Sequence, residues 1–518
     1  MSNLRDLTQV GLDALERGDP DSAVLAFRKV LKKSPRDIEL LHLAAYASIR
    51  SDRTTSARKF LAKALKLDPN HSDSNNTLGV LYLGEGRVGQ ATKAFETAIR
   101  SNPRNHRALR NLAKLLRDQD QLTKSLDVYQ QLGELEPEDA GLQNLIGTLL
   151  MNHGDFDKAI VHLRRSVTLS PAHGGSWIML AEMDKDISDE DIVVMQKVLA
   201  AQLETPLEGD QIAYALFRTF EQRGDTEKAG EYLVLANQRR RQCYQYDVST
   251  DEDYMAEISK VLTASFIKTE TPAPLGKQQP IFVLGLPRSG TTLIEQILSH
   301  HHLIGGAGER GSIDISLTKM ADPRNRRYPD GLPFWKEKDF AFISKSILEI
   351  LAETVPAAPY VIDKTPQNFL YIGLIKRLWP DALIIYCKRN LMDCAWSNFK
   401  TPFREGNYHT SSQEELIRYF EASEKLMDHW RKTCPGGFLE LAYEEMTADQ
   451  EGQTRRLLDY CGVPWDPDCL DFHKNKRAVR TASSVQIRSP VYTTSLRAWE
   501  PYANILQPLA AAFAGRNS

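Results

Sequence analysis

One pattern of small and large apolar positions runs through the first part of the chain. Ala23, Ala57, Ala91, Ser125 and Ala159 recur every 34 residues. Phe27, Leu61, Phe95, Tyr129 and Leu163 follow four positions after each of them. Four residues is about one helical turn, so each pair shares a helix face, with the small member admitting a neighbouring helix and the large one filling the groove. Gly18, Asp52, Gly86, Asp120 and Gly154 keep the same spacing five residues upstream. Glycine, and less readily aspartate, reaches the left-handed dihedrals that turn a chain between two helices. Pro35, Pro69, Pro103, Pro137 and Pro171 close each period and stop its second helix. The pattern predicts five helix–turn–helix units over about Asp6–His173, then a degenerate sixth in "DKDISDEDIVVMQKVL". A last pair around Gly224 and Ala229 is expected to cap the series.

The period ends near "IKTETPAPLGKQQP" (Ile267–Pro280), where proline, glycine and polar residues break it. Short apolar runs then replace it. Ile281–Leu284, Tyr360–Ile362, Leu383–Cys387 and Phe438–Leu441 read as strands alternating with helical segments, which predicts a mainly parallel sheet. The expected organisation is a helical array over 1–240, a linker over 241–279 and an α/β domain over 280–518.

The chain has 518 residues, 42% hydrophobic and 26% charged, the balance of an ordinary globular protein. A formal net charge of -3 gives no global reason to expect nucleic-acid binding, so an anion site must be built locally. The N-terminus lacks the apolar core of a signal peptide, and "LQPLAAAFAG" is too short for a transmembrane segment. Six cysteines without paired spacing point to a reducing, cytoplasmic setting. Cys387 and Cys394 are read as small packing residues rather than a redox pair.

The 34-residue unit, plainest in "GDFDKAIVHLRRSVTLSPAH", resembles the tetratricopeptide repeat. That resemblance implies an all-α solenoid that binds a protein or peptide or mediates assembly; a rigid spacer is the plainer alternative. Homo-oligomerisation stays open. Arg239, Arg240 and Arg241 are expected as a solvated helix terminus.

"IFVLGLPRSGTTLIEQIL" (Ile281–Leu298) is a strand, a tight turn and a helix, the context of a phosphate loop. The usual GxxxxGK[ST] lysine is missing, and Arg288 stands inside the loop. A triphosphate with magnesium usually wants that lysine and a metal-binding acid; a single terminal phosphosulfate carries less charge and can do without a metal. "PRSGTT" resembles the 5'-phosphosulfate loop of sulfotransferases, which use 3'-phosphoadenosine 5'-phosphosulfate (PAPS) as donor. A degraded nucleotide loop is the alternative. By the resemblance, Pro287, Arg288, Ser289, Gly290, Thr291 and Thr292 hold the donor.

The same resemblance gives Arg389, at a strand end, and Ser397, on the next helix, to the 3'-phosphate. "LELAYEEM" puts Tyr443 near the nucleotide. Ser483 and Arg488, in a polar segment similar to one that closes over the donor in tyrosylprotein sulfotransferases, complete the set, with Ser484 as the rival of Ser483. "GAGE" resembles the glutamate motif of those enzymes, implying Glu309 as general base. The rival bases are His300, His301 and His302, for which a metal role finds no second ligand cluster in the sequence. "DKTP" resembles a Lys-x-Pro element and implies Lys364 as the charge on the leaving phosphate, with Asp363 and Pro366 shaping the turn. The fold expected is therefore an all-α tetratricopeptide-repeat solenoid followed by an α/β P-loop-like sulfotransferase domain. Its expected activity is PAPS-dependent transfer to a hydroxyl, a protein tyrosine first, without a metal. A saccharide or small-molecule acceptor, a P-loop phosphotransferase and a non-catalytic scaffold stay open.

Overall fold

The computed structural model describes residues 2–119, 121–183, 187–202, 209–268, 273, 275–320, 326–355, 357–403, 406–474, 496–513 and 516. The chain divides into two compact units, Met1–Leu150 and Met151–Ser518.

The first unit is helical throughout. Ser2–Glu16 pairs with Pro20–Leu31, Ile38–Arg50 with Thr54–Leu67, Ser72–Gly84 with Val88–Ser101, and His106–Asp118 with Leu122–Leu135. Gly18, Asp52 and Gly86 turn between partners with φ of +76°, +56° and +72°; Asp120 lies outside the described residues. The small residues Ala23, Ala57, Ala91 and Ser125 are all fully buried. Glycines on the first helices deepen the fit. A Cβ on Gly11 would come within 2.5 Å of the Phe27 ring, and one on Gly79 equally close to Phe95. In these two units an absent side chain on one helix makes room for an aromatic ring on the next.

The second unit opens with further helices, Phe156–Leu169, Gly174–Met183, Asp189–Gln202, Asp210–Gln222 and Thr226–Gln242. The last two form the pair expected as a cap, with Gly224 at φ +76° and Ala229 buried. Rather than facing solvent, this pair is docked. Phe217 meets Trp396 edge-on at 6.4 Å, and Trp396 stacks on Tyr502 at 4.6 Å. Asn237 Nδ2 donates to the Phe399 carbonyl at 3.0 Å. The arginine run, expected to be solvated, is paired as well. Arg240 bridges to Asp210 at 3.0 Å, Arg241 grips Glu415 through two nitrogens, and Arg239 donates to the Gln202 carbonyl.

Within 241–279, where the sequence suggested a linker, Val248–Val261 forms a helix that buries Val248, Met255 and Ile258. It packs on the long helix Gln413–Thr433, with Arg418 donating to Glu252 at 3.1 Å. Its polar-rich sequence hides a narrow apolar stripe.

Five strands follow: β1 (Gln279–Gly285), β2 (Ile304–Gly306), β3 (Tyr360–Asp363), β4 (Leu383–Lys388) and β5 (Leu439–Ala442). Their order is β2-β3-β1-β4-β5 and every pairing is parallel. Ile281 of β1 sits opposite Ile362 of β3 and Leu383 of β4. Central β1 is buried from Pro280 to Gly285, as a parallel strand covered on both faces must be. Among the described residues no helix is long and apolar enough to cross a membrane.

Candidate active site

The carboxyl ends of β1, β3 and β4 are where a parallel sheet offers a ligand its crevice. β1 ends at Gly285, where a Cβ would strike the Cys387 carbonyl at 2.5 Å and Ser289 Oγ at 2.7 Å. The loop from Leu286 to Gly290 turns within that space. Arg288 is held at φ +68°, a conformation that is strained for a residue with a side chain and is concentrated at functional sites. Gly290, at φ +104°, caps the helix Thr291–Ser299, whose first-turn Thr291 and Thr292 are buried.

The helix Leu391–Phe399, after β4, supports this loop from one face. Asn398 Nδ2 donates to the Pro287 carbonyl at 2.7 Å, and Cys394 Sγ contacts the same oxygen at 3.3 Å. Ser397 Oγ accepts from Arg288 Nε at 3.0 Å. Arg389, at the end of β4, donates to the Arg288 carbonyl at 3.0 Å, and its guanidinium lies 4.7 Å from the Tyr443 ring centre. Tyr443 also closes on the loop itself, since a Cβ on Gly290 would come within 2.8 Å of its ring. Arg288, Gly290, Arg389, Ser397 and Tyr443 therefore converge, although the sequence spreads them over more than 150 positions. Among the described residues Ser289 Oγ is buried without a hydrogen-bond partner. A buried hydroxyl in a loop that also carries Arg288, is contacted by Arg389 and opens a helix belongs to a donor set that suits an anion. The residues present fit the phosphosulfate and 3'-phosphate of a PAPS-type donor.

A second group lies at the ends of β2 and β3. Lys364 follows Asp363, the last residue of β3, and its ammonium is hydrogen-bonded to the Glu309 carboxylate. The lysine side chain is 0% exposed and the glutamate 42%, so the acid faces outward and the cation is enclosed. The two meet because the turn Ala307–Gly308 continues β2 alongside β3. Ala307 N–H donates to the Ile362 carbonyl at 2.8 Å, and Lys364 N–H donates to Gly308 at 3.1 Å. Gly308 takes φ +73°. Asp363 accepts from Ser312, Thr365 and Asn368, which fixes the turn that aims Lys364. Burial raises the Asp363 carboxyl above its ordinary range, against the opposing pull of those three donors.

Other expected residues fall elsewhere. His301 contacts the Pro464 carbonyl through Nε2 at 3.0 Å and accepts from Leu303 N–H through Nδ1, while His302 meets Asp466 at 3.1 Å. The histidines thus engage the 464–466 segment. His301, His302 and Asp466 hold their ligand atoms within 4.8 Å of one another, a grouping not visible in the sequence. Ser483, Ser484 and Arg488 lie outside the described residues. Lys388 is bridged to Glu440 at 3.1 Å. Cys387 and Cys394 are buried free thiols, and burial pushes Cys394 up to about 12.

Three supporting residues escaped the sequence reading. Asn398 braces Pro287, Glu444 accepts from Asn390 N–H at 2.9 Å, and Glu295 lies beside Lys364. Only Glu295 left a trace: it is the one charged residue of the helix Thr291–Ser299, set among Leu293, Ile294, Ile297 and Leu298.

Comparison with known proteins accords with this geometry. Residues 280–467 match the sulfotransferase family, and 14–78, 76–140 and 140–173 match tetratricopeptide repeats. An uncharacterized protein of Aquifex aeolicus is 29% identical over 407 residues, covering 77% of this chain and 53% of its own. Protein-tyrosine sulfotransferase A of Caenorhabditis elegans is 24% identical over 231 residues, 42% of this chain and 60% of its own. The protein-tyrosine sulfotransferase of Drosophila melanogaster is 24% identical over 233 residues, 42% of this chain and 46% of its own. The chain thus spans about half the length of these relatives. It carries tetratricopeptide repeats at its N-terminus and a sulfotransferase-family domain at its C-terminus.

Proposed function

We propose that the C-terminal domain moves a sulfuryl group from PAPS to an acceptor hydroxyl, a peptide tyrosine, and that the repeat array binds the protein that presents it. The observation that carries this reading is the Glu309–Lys364 pair standing at the same sheet edge as the Arg288–Ser397–Arg389 cradle. Loop 287–292, Arg389, Ser397 and Tyr443 would hold the donor, which supplies the sulfuryl group. Lys364 turns from Glu309 toward the anion, and this frees the exposed carboxylate to take the hydroxyl proton. The enclosed ammonium and Arg288 then meet the charge that develops on the leaving phosphate, in surroundings where burial strengthens the interaction. Acceptor choice follows the protein-tyrosine sulfotransferase relatives and the repeat array, which suits a protein ligand.

Calorimetric titration with adenosine 3',5'-bisphosphate (PAP), against ATP with magnesium, tests the donor site. PAP binding that is lost in Arg389→Ala supports it; binding of ATP alone would return the loop to nucleotide chemistry. Radiolabelled transfer to tyrosine peptides tests the acceptor. Glu309→Ala and Lys364→Ala should each lower turnover at least about 10²-fold while PAP still binds.

A further inference from the structure

Glu295 belongs to neither of the two groups the sequence singled out, yet it joins them. It projects from the helix that the phosphate loop starts, and it is 2% exposed. Its Oε1 accepts the Gly308 N–H at 2.9 Å, and its Oε2 lies 4.0 Å from Lys364 Nζ. Gly308 is the residue before Glu309, and its carbonyl accepts the Lys364 N–H. A chain of direct contacts therefore runs from the loop helix through one buried carboxylate to the base and to the lysine backbone.

The physical need for such a tie is specific. Gly308 takes φ +73°, and a glycine turn has many alternatives to that conformation. A hydrogen bond at 2.9 Å from the Gly308 N–H to an oxygen at the end of a buried side chain of fixed length narrows those alternatives. Its acceptor stands on the helix that fixes the phosphate loop, so the bond sets the distance between cradle and base. We propose that Glu295 is a positioning residue: through the Gly308 N–H it registers the Glu309 turn against the phosphate loop. The inference rests on the sulfotransferase reading for its consequence in turnover, and on contacts alone for its consequence in the turn.

Two variants separate reach from charge. Glu295→Gln keeps a side-chain oxygen at the same length and loses the charge; Glu295→Asp keeps the charge and falls one methylene short. Misplacing a catalytic group by about 1 Å costs on the order of 10²-fold in rate. Glu295→Asp should therefore lower kcat about 10²-fold, with PAP affinity unchanged within about twofold, and Glu295→Gln should keep most of kcat. Amide hydrogen exchange of the 306–311 segment in the ligand-free protein is the second readout. Exchange there should quicken in Glu295→Asp and stay near the parent rate in Glu295→Gln. A Gln variant as slow as Asp, or PAP affinity falling in step with kcat, would overturn the proposal. So would unchanged exchange in Asp. Failure of the parent protein to bind PAP or transfer sulfate would count against the sulfotransferase reading, and the exchange experiment would still judge Glu295.

Discussion

Replacing Gly290 by alanine probes the cradle at the point where backbone and ring crowd most. Gly290 sits at φ +104°, and an added Cβ would approach Tyr443 Cδ2 to 2.8 Å. A side chain held in left-handed backbone carries about 1–2 kcal/mol of strain. The variant relieves it by moving the loop, the Tyr443 ring or both, and donor binding must then restore the original geometry. If that restoration is charged in full to binding, PAP affinity falls about 5–30-fold. Gly462→Ala is the matched control. Gly462 takes φ +70° with open space around its missing Cβ, at the end of the helix Gln450–Cys461. It places alanine in left-handed backbone, at a φ closer to the centre of that region, without the ring contact and outside the cradle. Both variants should unfold at lower denaturant concentration, and only Gly290→Ala should weaken PAP in calorimetry. Equal PAP affinity in Gly290→Ala and the parent, or an equal loss in Gly462→Ala, would refute the argument that this glycine shapes the donor site.

Ser289→Ala removes a buried hydroxyl that has no hydrogen-bond partner among the described residues. Folding stability should hold while PAP affinity drops about tenfold, as for a lost hydrogen bond to a charged group, by calorimetry. Phe217→Ala should cost about 3–5 kcal/mol in denaturant unfolding, because a fully buried ring against Trp396 and Tyr502 leaves a cavity. His409 is buried and stacks on Tyr419 at 3.7 Å; burial lowers its pKa from 6.5 to about 3. The unfolded chain takes up that proton first, so the contribution is whole above pH 6.5 and is lost as pH falls toward 3. The slope should approach at most about 1.4 kcal/mol per pH unit, and His409→Phe should flatten it in urea unfolding followed from pH 7 to pH 4.

The repeats were legible because their packing is local: the small residue, the large residue and the turn all fall within one 34-residue period. Strands β1, β3, β4 and β5 were legible as apolar runs. Strand β2 was not, since Ile304–Gly306 has one apolar side chain and two glycines and owes its pairing to β3. The helix Val248–Val261 was hidden for the opposite reason, because only Val248, Met255 and Ile258 of its residues are buried. Residues set in a recognisable motif, such as Arg288, Arg389 and Tyr443, converge in space, whereas the residues that brace them carry no motif. Asn398 looks like any helical asparagine until the Pro287 carbonyl is found 2.7 Å away. The arginines at 239–241 were misjudged because their partners Asp210 and Glu415 lie 30 and 174 residues off in sequence.

The docked helix pair Asp210–Gln242 changes where this protein can be cut. The family match begins at residue 280, and a chain trimmed to that point would bare the sides of Trp396 and Tyr502 that meet Phe217. It would also leave the Phe399 carbonyl, at the end of the Ser397 helix, without its Asn237 donor. Joining the sheet domain to another N-terminal partner would have to carry these two helices along. A change that shifted these two helices would therefore act directly on the helix that holds Ser397.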